Sequence, residues 1–440
     1  MKVLLVNPKM AKGWRPYVIP PIGLCSLKAS LIKWIPGIEV EVYDASGYEI
    51  RDVIEEVEEF KPDIVGMTTF TEARLDCIFT MGMIKKLYPN IHTILGGVFA
   101  STNYTYILKN YNNIIDSICV GEGELALVDH IKKGMPKGTF SLPPIKDLDE
   151  LPFPNYSDLD LDKYIDVDGP CKGKPLAAIC TSRGCPHNCL YCSSKSVWGN
   201  IRFRSIPNVL QELEILYHRR GYKMVSIIDD IFTVNKKRTI EFCEGLLKKD
   251  IEIIWKTQTR TDCVDLDLLK LMYKAGCRLI AYGVESGSPT ILNNLNKKED
   301  LDSITNAFQW TKEAGIESTF NVIVGSPGET QATLQETKNI IKKARPDHIA
   351  TAALRGYPGT ALWELGKAQG IYKEDSLLLG EDCFYYTGSM SVPQMYKELR
   401  KFVFLQAGLQ GPKGWVELVR LGIKTGLSQP NKILMGLRGK

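Results

Sequence analysis

The sequence predicts an α/β protein: an N-terminal doubly wound parallel sheet, then a partial (β/α)6 barrel and a small, mainly helical C-terminal region. Two observations predict it. Short continuous apolar runs, such as Val3-Leu4-Leu5-Val6 and Ile64-Val65-Gly66-Met67, alternate with helix-length segments, the pattern of parallel strands covered on both faces. The alternation then stops over a Pro-, Asp- and Gly-rich stretch and restarts at Leu176 as six further strand–helix units. The boundaries that follow are 1–140 for the first domain, 141–175 for an ordered connector, 176–365 for the barrel and 366–440 for a C-terminal cap or tail.

In the first domain, strands are expected at 3–6, 40–44, 64–67, 92–97 and from 117, with helices ending near 34 and spanning 51–60 and 71–87. A ligand of such a sheet belongs beyond the carboxyl ends of the strands. The loops there carry Asn7-Pro8, Thr68-Thr69-Phe70, Gly96-Gly97-Val98 and Gly121-Glu122-Gly123-Glu124. None fits the G-x-G-x-x-G fingerprint of a dinucleotide site. Hydroxyls and small residues around an open crevice suit a flat, bulky ligand instead. In the barrel, strands are expected at 176–181, 225–228, 253–257, 279–284, 318–324 and 348–352, and helices at 206–220, 237–248, 266–275, 304–314 and 334–344. The tail holds a strand-like run at 383–387, an amphipathic helix from 393 to about 406 and a basic end at 416–440.

At 440 residues, 44% hydrophobic and 24% charged, the composition is that of an ordinary globular protein. A formal net charge of +4 is too small to argue for nucleic acid or a membrane surface. The first eight residues read as a strand and loop rather than a secretory leader, and no apolar run approaches the ~20 residues of a membrane span. The 12 cysteines are therefore expected to be reduced, in a cytoplasmic and low-oxygen setting.

The strongest chemical signal is the loop Cys185-Pro186-His187-Asn188-Cys189-Leu190-Tyr191-Cys192. A compact zinc site usually takes four protein ligands, and a [4Fe–4S] cube usually takes four thiolates. Three thiols on one short loop suggest a cube with one iron left open for a ligand that is not protein. His187 reads as a packing or solvent-facing residue. The remaining cysteines show no second C-x-x-C spacing; Cys263 and Cys383 stay open as catalytic thiols, and most others read as small buried hydrophobes.

Chemistry in such barrels gathers at the carboxyl ends of the strands, where the cysteine loop, Asp229, Asp230, Arg260, Glu285 and Gly325 all fall. A methionine moiety chelating the open iron needs acceptors for its ammonium and donors for its carboxylate. Asp229 or Asp230 can serve the first, and Arg260 or Arg204 the second. Glu285 can accept from ribose hydroxyls, and Gly325 and Gly328 let backbone approach an adenine ring. Plainer roles compete with these: Asp230 as a cap, Arg204 as a solvated surface charge, Glu285 as the anchor of a neighbouring loop.

C-x-x-x-C-x-x-C with Tyr191 before the last cysteine resembles the signature of the radical S-adenosylmethionine (SAM) superfamily. Gly283-Val284-Glu285-Ser286-Gly287-Ser288 resembles its ribose-contact strand, and Val322-Ile323-Val324-Gly325-Ser326-Pro327-Gly328-Glu329 its glycine-rich fifth strand, with Asn321 where a glycine is usual. Gly356-Tyr357-Pro358-Gly359-Thr360 is similar to its closing motif. The resemblance adds Tyr191 and Ser286 to the SAM contacts. Upstream, Ile94-Leu95-Gly96-Gly97-Val98-Phe99-Ala100 and the run 116–124 resemble the cobalamin-binding domain placed ahead of many such enzymes. This implies cobalamin contacts at Thr68, Thr69, Gly96, Gly97, Gly121 and Glu122. The D-x-H-x-x-G motif is absent where Asn7-Pro8-Lys9-Met10 stands, so the lower cobalt face lacks that histidine or the pocket is empty. His92 and His130 read as ordinary surface or helix-end residues.

The resemblance implies a [4Fe–4S] cluster that cleaves SAM to a 5′-deoxyadenosyl radical, with methylcobalamin between the domains handing a methyl group to an unactivated carbon of a small-molecule or lipid-like substrate. Ring formation or oxidation, as in the anaerobic porphyrin-ring cyclases, is the alternative on the same layout. A third reading is a non-catalytic iron–sulfur binding protein. An electron donor such as flavodoxin or ferredoxin is implied, and no nucleic acid. The first part of the tail reads as a cap over the barrel mouth, and its basic end offers at most peripheral membrane contact.

Overall fold

The computed structural model describes residues 1–9, 18–166, 172–249, 251–373, 390–416 and 418. They form two compact units. The first comprises Met1–Tyr164 with Ser196–Arg204; the second comprises Ile165–Lys195 and Ser205–Tyr372 together with the C-terminal helix.

The sheet of the first unit contains β1 (Lys2–Asn7), β2 (Glu39–Asp44), β3 (Ile64–Thr68), β4 (His92–Gly96), β5 (Ser117–Cys119) and β6 (Gly138–Phe140). All neighbours pair in parallel, in the order β2-β1-β3-β4-β5-β6. The chain direction across the sheet reverses between β1 and β3, and that switch point is where an open α/β sheet receives its ligand. The helices α1 (Ile22–Trp34), α2 (Ile50–Phe60), α3 (Arg74–Leu87), α4 (Gly97–Tyr111) and α5 (Gly123–Lys132) connect them. Helix α4 is hidden in the sequence by β-branched and aromatic residues, and it kinks at Asn103. The expected connector is divided: its residues up to Tyr164 belong to this unit, tied by Lys28 to Asp158 at 2.5 Å and by the Tyr164 hydroxyl to Asp44 at 2.5 Å, and those from Ile165 belong to the second.

The second unit carries β7 (Ala177–Ile179), β8 (Met224–Ile227), β9 (Ile254–Thr259), β10 (Cys277–Glu285), β11 (Glu317–Val324) and β12 (His348–Ala353). They pair in parallel in strictly sequential order, as the walls of a partial barrel do. One hydrophobic core runs from Ile179 to Phe402 and centres on Phe232, Phe242 and Trp255, whose rings meet edge to face at 5.3–5.5 Å. The Trp255 indole N–H donates to the Ala275 carbonyl at 2.7 Å, so its burial leaves no polar atom orphaned. The expected helix 206–220 ends as α-helix at Glu214 and continues as a π turn over Ile215–Arg219.

The C-terminal helix Val392–Leu409 packs on β12. Its Gln406 side chain accepts from the Ile349 amide at 3.0 Å, and Gln410 donates to the Asp347 carbonyl at 3.0 Å, which occupies the free edge of the last strand. The strand-like run 383–387 and the basic end beyond residue 418 lie outside the described residues. Among the described residues no helix is long and apolar enough to cross a membrane.

Candidate active site

The cysteine loop follows β7 and is clamped by backbone. The Leu190 amide donates to the Leu295 carbonyl at 2.9 Å, and the Leu190 carbonyl accepts from the Leu362 amide at 2.8 Å. The Asn296 side chain donates to the Asn188 carbonyl at 2.7 Å. Desolvation raises all three thiols, Cys192 up to about 11; Cys189 also raises Cys185, and both of these raise Cys192. Asp230 adds to the rise at Cys185 and Cys192, while Lys297 opposes it at Cys185 and Cys189. Among the described residues no three His, Cys, Asp or Glu side chains are gathered as a closed metal-ligand set. Bound iron would displace the thiol protons, which turns three reluctant thiols into ligands.

The strand-end residues sort into two groups. Asp230 is partly exposed, accepts from the Ser194 hydroxyl at 2.6 Å and faces the cysteine sulfurs. Glu285 sits beside a bulge in the pairing of β10 with β11 and has φ +71, a left-handed conformation that a non-glycine residue adopts only when its surroundings impose it. Burial raises its carboxyl, opposed by the Lys297 charge and by a hydrogen bond from the Tyr191 phenol. Tyr191 thus ties the cysteine loop to β10.

The other predicted residues are engaged elsewhere. Asp229 is 1% exposed and accepts from the Thr181 amide, the Thr181 hydroxyl and the Ser182 hydroxyl at 2.5–2.6 Å, so it braces the entry to the loop. Arg260 grips Asp262 with two nitrogens at 2.9 and 2.6 Å and donates to the Lys297 carbonyl at 3.0 Å. Arg204 belongs to the first unit, its guanidinium 5.5 Å from the Phe153 ring. Ser286 is buried and bonds the Thr337 hydroxyl at 3.1 Å, which pins its loop to the helix Gln331–Ala344. Gly325 has φ +98, and a Cβ there would lie 2.4 Å from the Met395 sulfur of the C-terminal helix. Gly328 has φ +77, with the Asn294 amide nitrogen 2.8 Å from where its Cβ would be. Cys263 is raised to about 12 by burial and by Asp262, a poor state for a nucleophilic thiol.

Three residues were given no role by the sequence reading. Arg238, 8% exposed, donates to the Thr181 hydroxyl and carbonyl at 3.1 and 3.0 Å. Lys297 and Glu299 are buried beside Arg260. Arg238 lies on the helix Lys236–Lys248, and Lys297 and Glu299 stand in the short loop between the helices Pro289–Asn294 and Leu301–Glu313, where charges follow no periodicity.

In the first unit, the loops after β3 and β4 interlock. The Thr69 amide donates to the Gly96 carbonyl at 2.8 Å, and the Phe99 amide to the Thr69 carbonyl at 3.1 Å. Gly97 has φ +87, and a Cβ would fall within 2.9 Å of the Thr68 hydroxyl and the Thr69 backbone. Thr69 is fully buried with its hydroxyl toward the Cys77 thiol, whereas Thr68 stays partly exposed. Gly121, φ +86, is exposed with open space at its Cβ position, and its amide donates to Ser101 at 3.1 Å. Glu122 is turned to structure: it forms a two-pronged pair with Arg202 at 2.9 Å and accepts from the Ile145 amide at 2.7 Å. His92 begins β4 and His130 lies at the end of α5, stacked on Phe140 at 3.8 Å, so neither belongs to the ligand-side loops. This edge has small residues and open backbone for a flat ligand, and the donor set fits a corrin held without a histidine from these loops.

A sequential parallel half-barrel with a three-cysteine loop after its first strand, preceded by a doubly wound sheet with a small-residue ligand edge, defines a radical SAM enzyme with a B12-binding domain. Family models agree: residues 179–341 match the radical SAM superfamily and residues 10–130 the B12 binding domain. The chain is 31% identical over 393 residues to an uncharacterized methyltransferase of Pyrococcus horikoshii, covering 84% of each chain. It is also 31% identical over 404 residues to the anaerobic magnesium-protoporphyrin IX monomethyl ester cyclase of Rubrivivax gelatinosus, covering 84% of this chain and 71% of that one. Among solved structures, the cobalamin-dependent SAM radical enzyme OxsB has a TM-score of 0.73 at 18% identity, over 92% of this chain and 67% of that chain. The methyltransferase TsrM of Kitasatospora setae, solved with cobalamin and a [4Fe–4S] cluster, reaches 0.65 at 18% identity, over 83% of this chain and 78% of that chain; both likenesses concern the fold. The chain belongs to the radical SAM superfamily, in the cobalamin-dependent group that includes methyltransferases and anaerobic cyclases. It is an enzyme whose cofactors are a [4Fe–4S] cluster, SAM and cobalamin.

Proposed function

We propose that the enzyme transfers a methyl group to an unactivated carbon of a small-molecule or lipid-like substrate, in the cytoplasm, with a flavodoxin- or ferredoxin-class donor supplying electrons. The observation that carries the reading is the convergence of Cys185, Cys189 and Cys192 with Asp230 and the strained Glu285 in a chain that also carries a B12-binding domain. When bound, the cofactors supply the radical and the methyl group.

The residues supply placement. Cys185, Cys189 and Cys192 would hold the cluster through their thiolates. Asp230 accepts from the methionine ammonium, and Glu285, steadied by Tyr191, accepts from the ribose hydroxyls. The left-handed Gly325 and Gly328 keep side chains off the adenine side of the loop. With Arg260 occupied by Asp262, it shapes the pocket rather than gripping the methionine carboxylate. Thr68, Gly97 and Gly121 form the edge that receives the corrin.

Anaerobic reconstitution followed by incubation with methyl-labelled SAM and dithionite tests the reading. S-adenosylhomocysteine together with 5′-deoxyadenosine marks methyl transfer. 5′-Deoxyadenosine alone supports the cyclase-type reading, which the likeness to the Rubrivivax gelatinosus cyclase favours. Neither product from protein carrying an intact cluster would sink both.

A further inference from the structure

Lys297 is constrained through both its backbone groups. Its amide donates to the Leu292 carbonyl at 2.8 Å, and its carbonyl accepts from Arg260 at 3.0 Å. Its two neighbours are both left-handed without being glycine, Asn296 at φ 53 and Lys298 at φ 55, and Asn296 is tied to the cysteine loop through Asn188. Each such residue costs about 1 kcal/mol or more, and it persists where surrounding structure imposes it. Two strained residues in three, fixed from both sides, aim one side chain inward.

That side chain is buried, with 6% of its surface exposed, and its nitrogen lies 3.9 Å from Glu299 Oε2, too far for a hydrogen bond. The Glu299 side chain is fully buried, and its Oε2 has no hydrogen-bond partner. Gly283 explains how the charge reaches the site: where its Cβ would be, Glu285 Oε1 lies at 2.9 Å and the Lys297 nitrogen at 3.5 Å. Any side chain at 283 would evict the carboxylate or the ammonium. The segment that carries it is tied to the cysteine loop on both sides of Cys189: Asn296 donates to the Asn188 carbonyl at 2.7 Å, and the Leu190 amide donates to the Leu295 carbonyl at 2.9 Å. A cation held this close, out of water, is screened little and stabilises added negative charge.

We propose that Lys297 is a positioning and tuning residue for the cluster: its buried ammonium, carried on the segment tied to the cysteine loop and held near Glu285 and Glu299, favours the one-electron-reduced cube over the oxidised one. The proposal rests on the assignment of the three cysteines to the cluster. Reduction adds one electron from an external donor and no proton to the residue; the ammonium offsets the added charge. Glu299, as the opposing buried charge, works in the other direction.

The test is an EPR-monitored redox titration of reconstituted full-length protein without SAM, comparing wild type with Lys297→Gln, Lys297→Arg and Glu299→Gln at matched iron content. Lys297→Gln should lower the reduced-to-oxidised ratio at a fixed potential by about tenfold, which is about 59 mV for a one-electron couple. Lys297→Arg should restore most of it, and Glu299→Gln should move the midpoint to more positive potential. A purely structural lysine would change yield and melting without this pattern. Should Lys297→Gln fail to assemble a cluster, Glu299→Gln decides alone: an unchanged or more negative midpoint overturns the proposal. An unchanged midpoint in Lys297→Gln also overturns it. Failure of wild type to take up a cluster overturns the cysteine assignment instead, so the two failures are distinguishable.

Discussion

The two sheets are both parallel, yet they bury their strands differently. In the first unit Val3, Leu4, Leu5 and Val6 of β1 are all within 2% exposure, and Ile64 to Met67 of β3 are buried without a break. In the second, β11 alternates along its whole length: Ser318, Phe320, Val322 and Val324 are buried, while Glu317, Thr319, Asn321 and Ile323 are partly open. Strand β9 does the same, with Lys256 and Gln258 on the less buried side. A sheet covered on both faces can offer a ligand only the loops at its edge. A sheet with one open face offers the loops and a polar wall behind them. The partly open faces of β9 and β11 thus lie behind the loops of the second unit, where β7 and β8 are buried throughout; in the first sheet β1, β3 and β5 are buried without alternation, while β2 alternates.

Breaking the comparison at its strongest point means removing a cluster ligand. Cys189→Ala should abolish SAM cleavage and reduce cluster iron to background, while cobalamin retention by the first unit is unchanged; cluster iron at wild-type level would overturn the ligand assignment. Trp255→Ala tests the buried side of the same strand: emptying the Phe232–Phe242–Trp255 cluster should cost about 3–5 kcal/mol, read as a shift in denaturant midpoint. A loss under about 1 kcal/mol would show that the core closes over the cavity.

Gly97→Ala is the counterpart in the first unit. With φ +87 and three atoms within 2.9 Å of the new methyl, strain of about 1–3 kcal/mol is expected. Cobalamin should be lost on gel filtration while cluster iron stays at wild-type level. Full retention would show that the loops after β3 and β4 do not form the corrin edge.

The smallest effect is in pH. Burial holds His130 down to about 4, against an ordinary value of about 6.5. The unfolded chain then binds the extra proton first as pH falls, so stability is present above about 6.5 and declines towards 4. The loss attributable to this group should be about 1 kcal/mol by pH 5.5, and His130→Phe should remove that dependence. Urea titrations of both proteins at pH 7.5 and 5.5 would show it; identical slopes would place the pH sensitivity elsewhere.

Local chemistry made much of this legible. Every strand of the barrel and the first five of the doubly wound sheet announced themselves as apolar runs between breakers, because burial demands that composition wherever the chain sits in sequence. The cysteine loop was legible for a similar reason: a small inorganic centre needs its thiols within a few residues. Helix α4 was not, since its aromatic and β-branched residues lack helical preference and packing overrides them. Arg260 and Asp229 read as free ligands until Asp262, Thr181 and Ser182 were seen to hold them.

The sequence by itself determined the two α/β units, the three thiols and the strand ends at which charges would gather. Tertiary structure alone decided which charges remain available. Asp230 stays partly exposed beside the Ser194 hydroxyl, Glu285 is held by Tyr191, Glu122 and Arg260 are paired with Arg202 and Asp262, and Lys297 is buried near Glu299. The reason is physical: apolar periodicity is a property of neighbours along the chain, whereas the state of a buried charge depends on partners as distant in sequence as Asn188 is from Asn296.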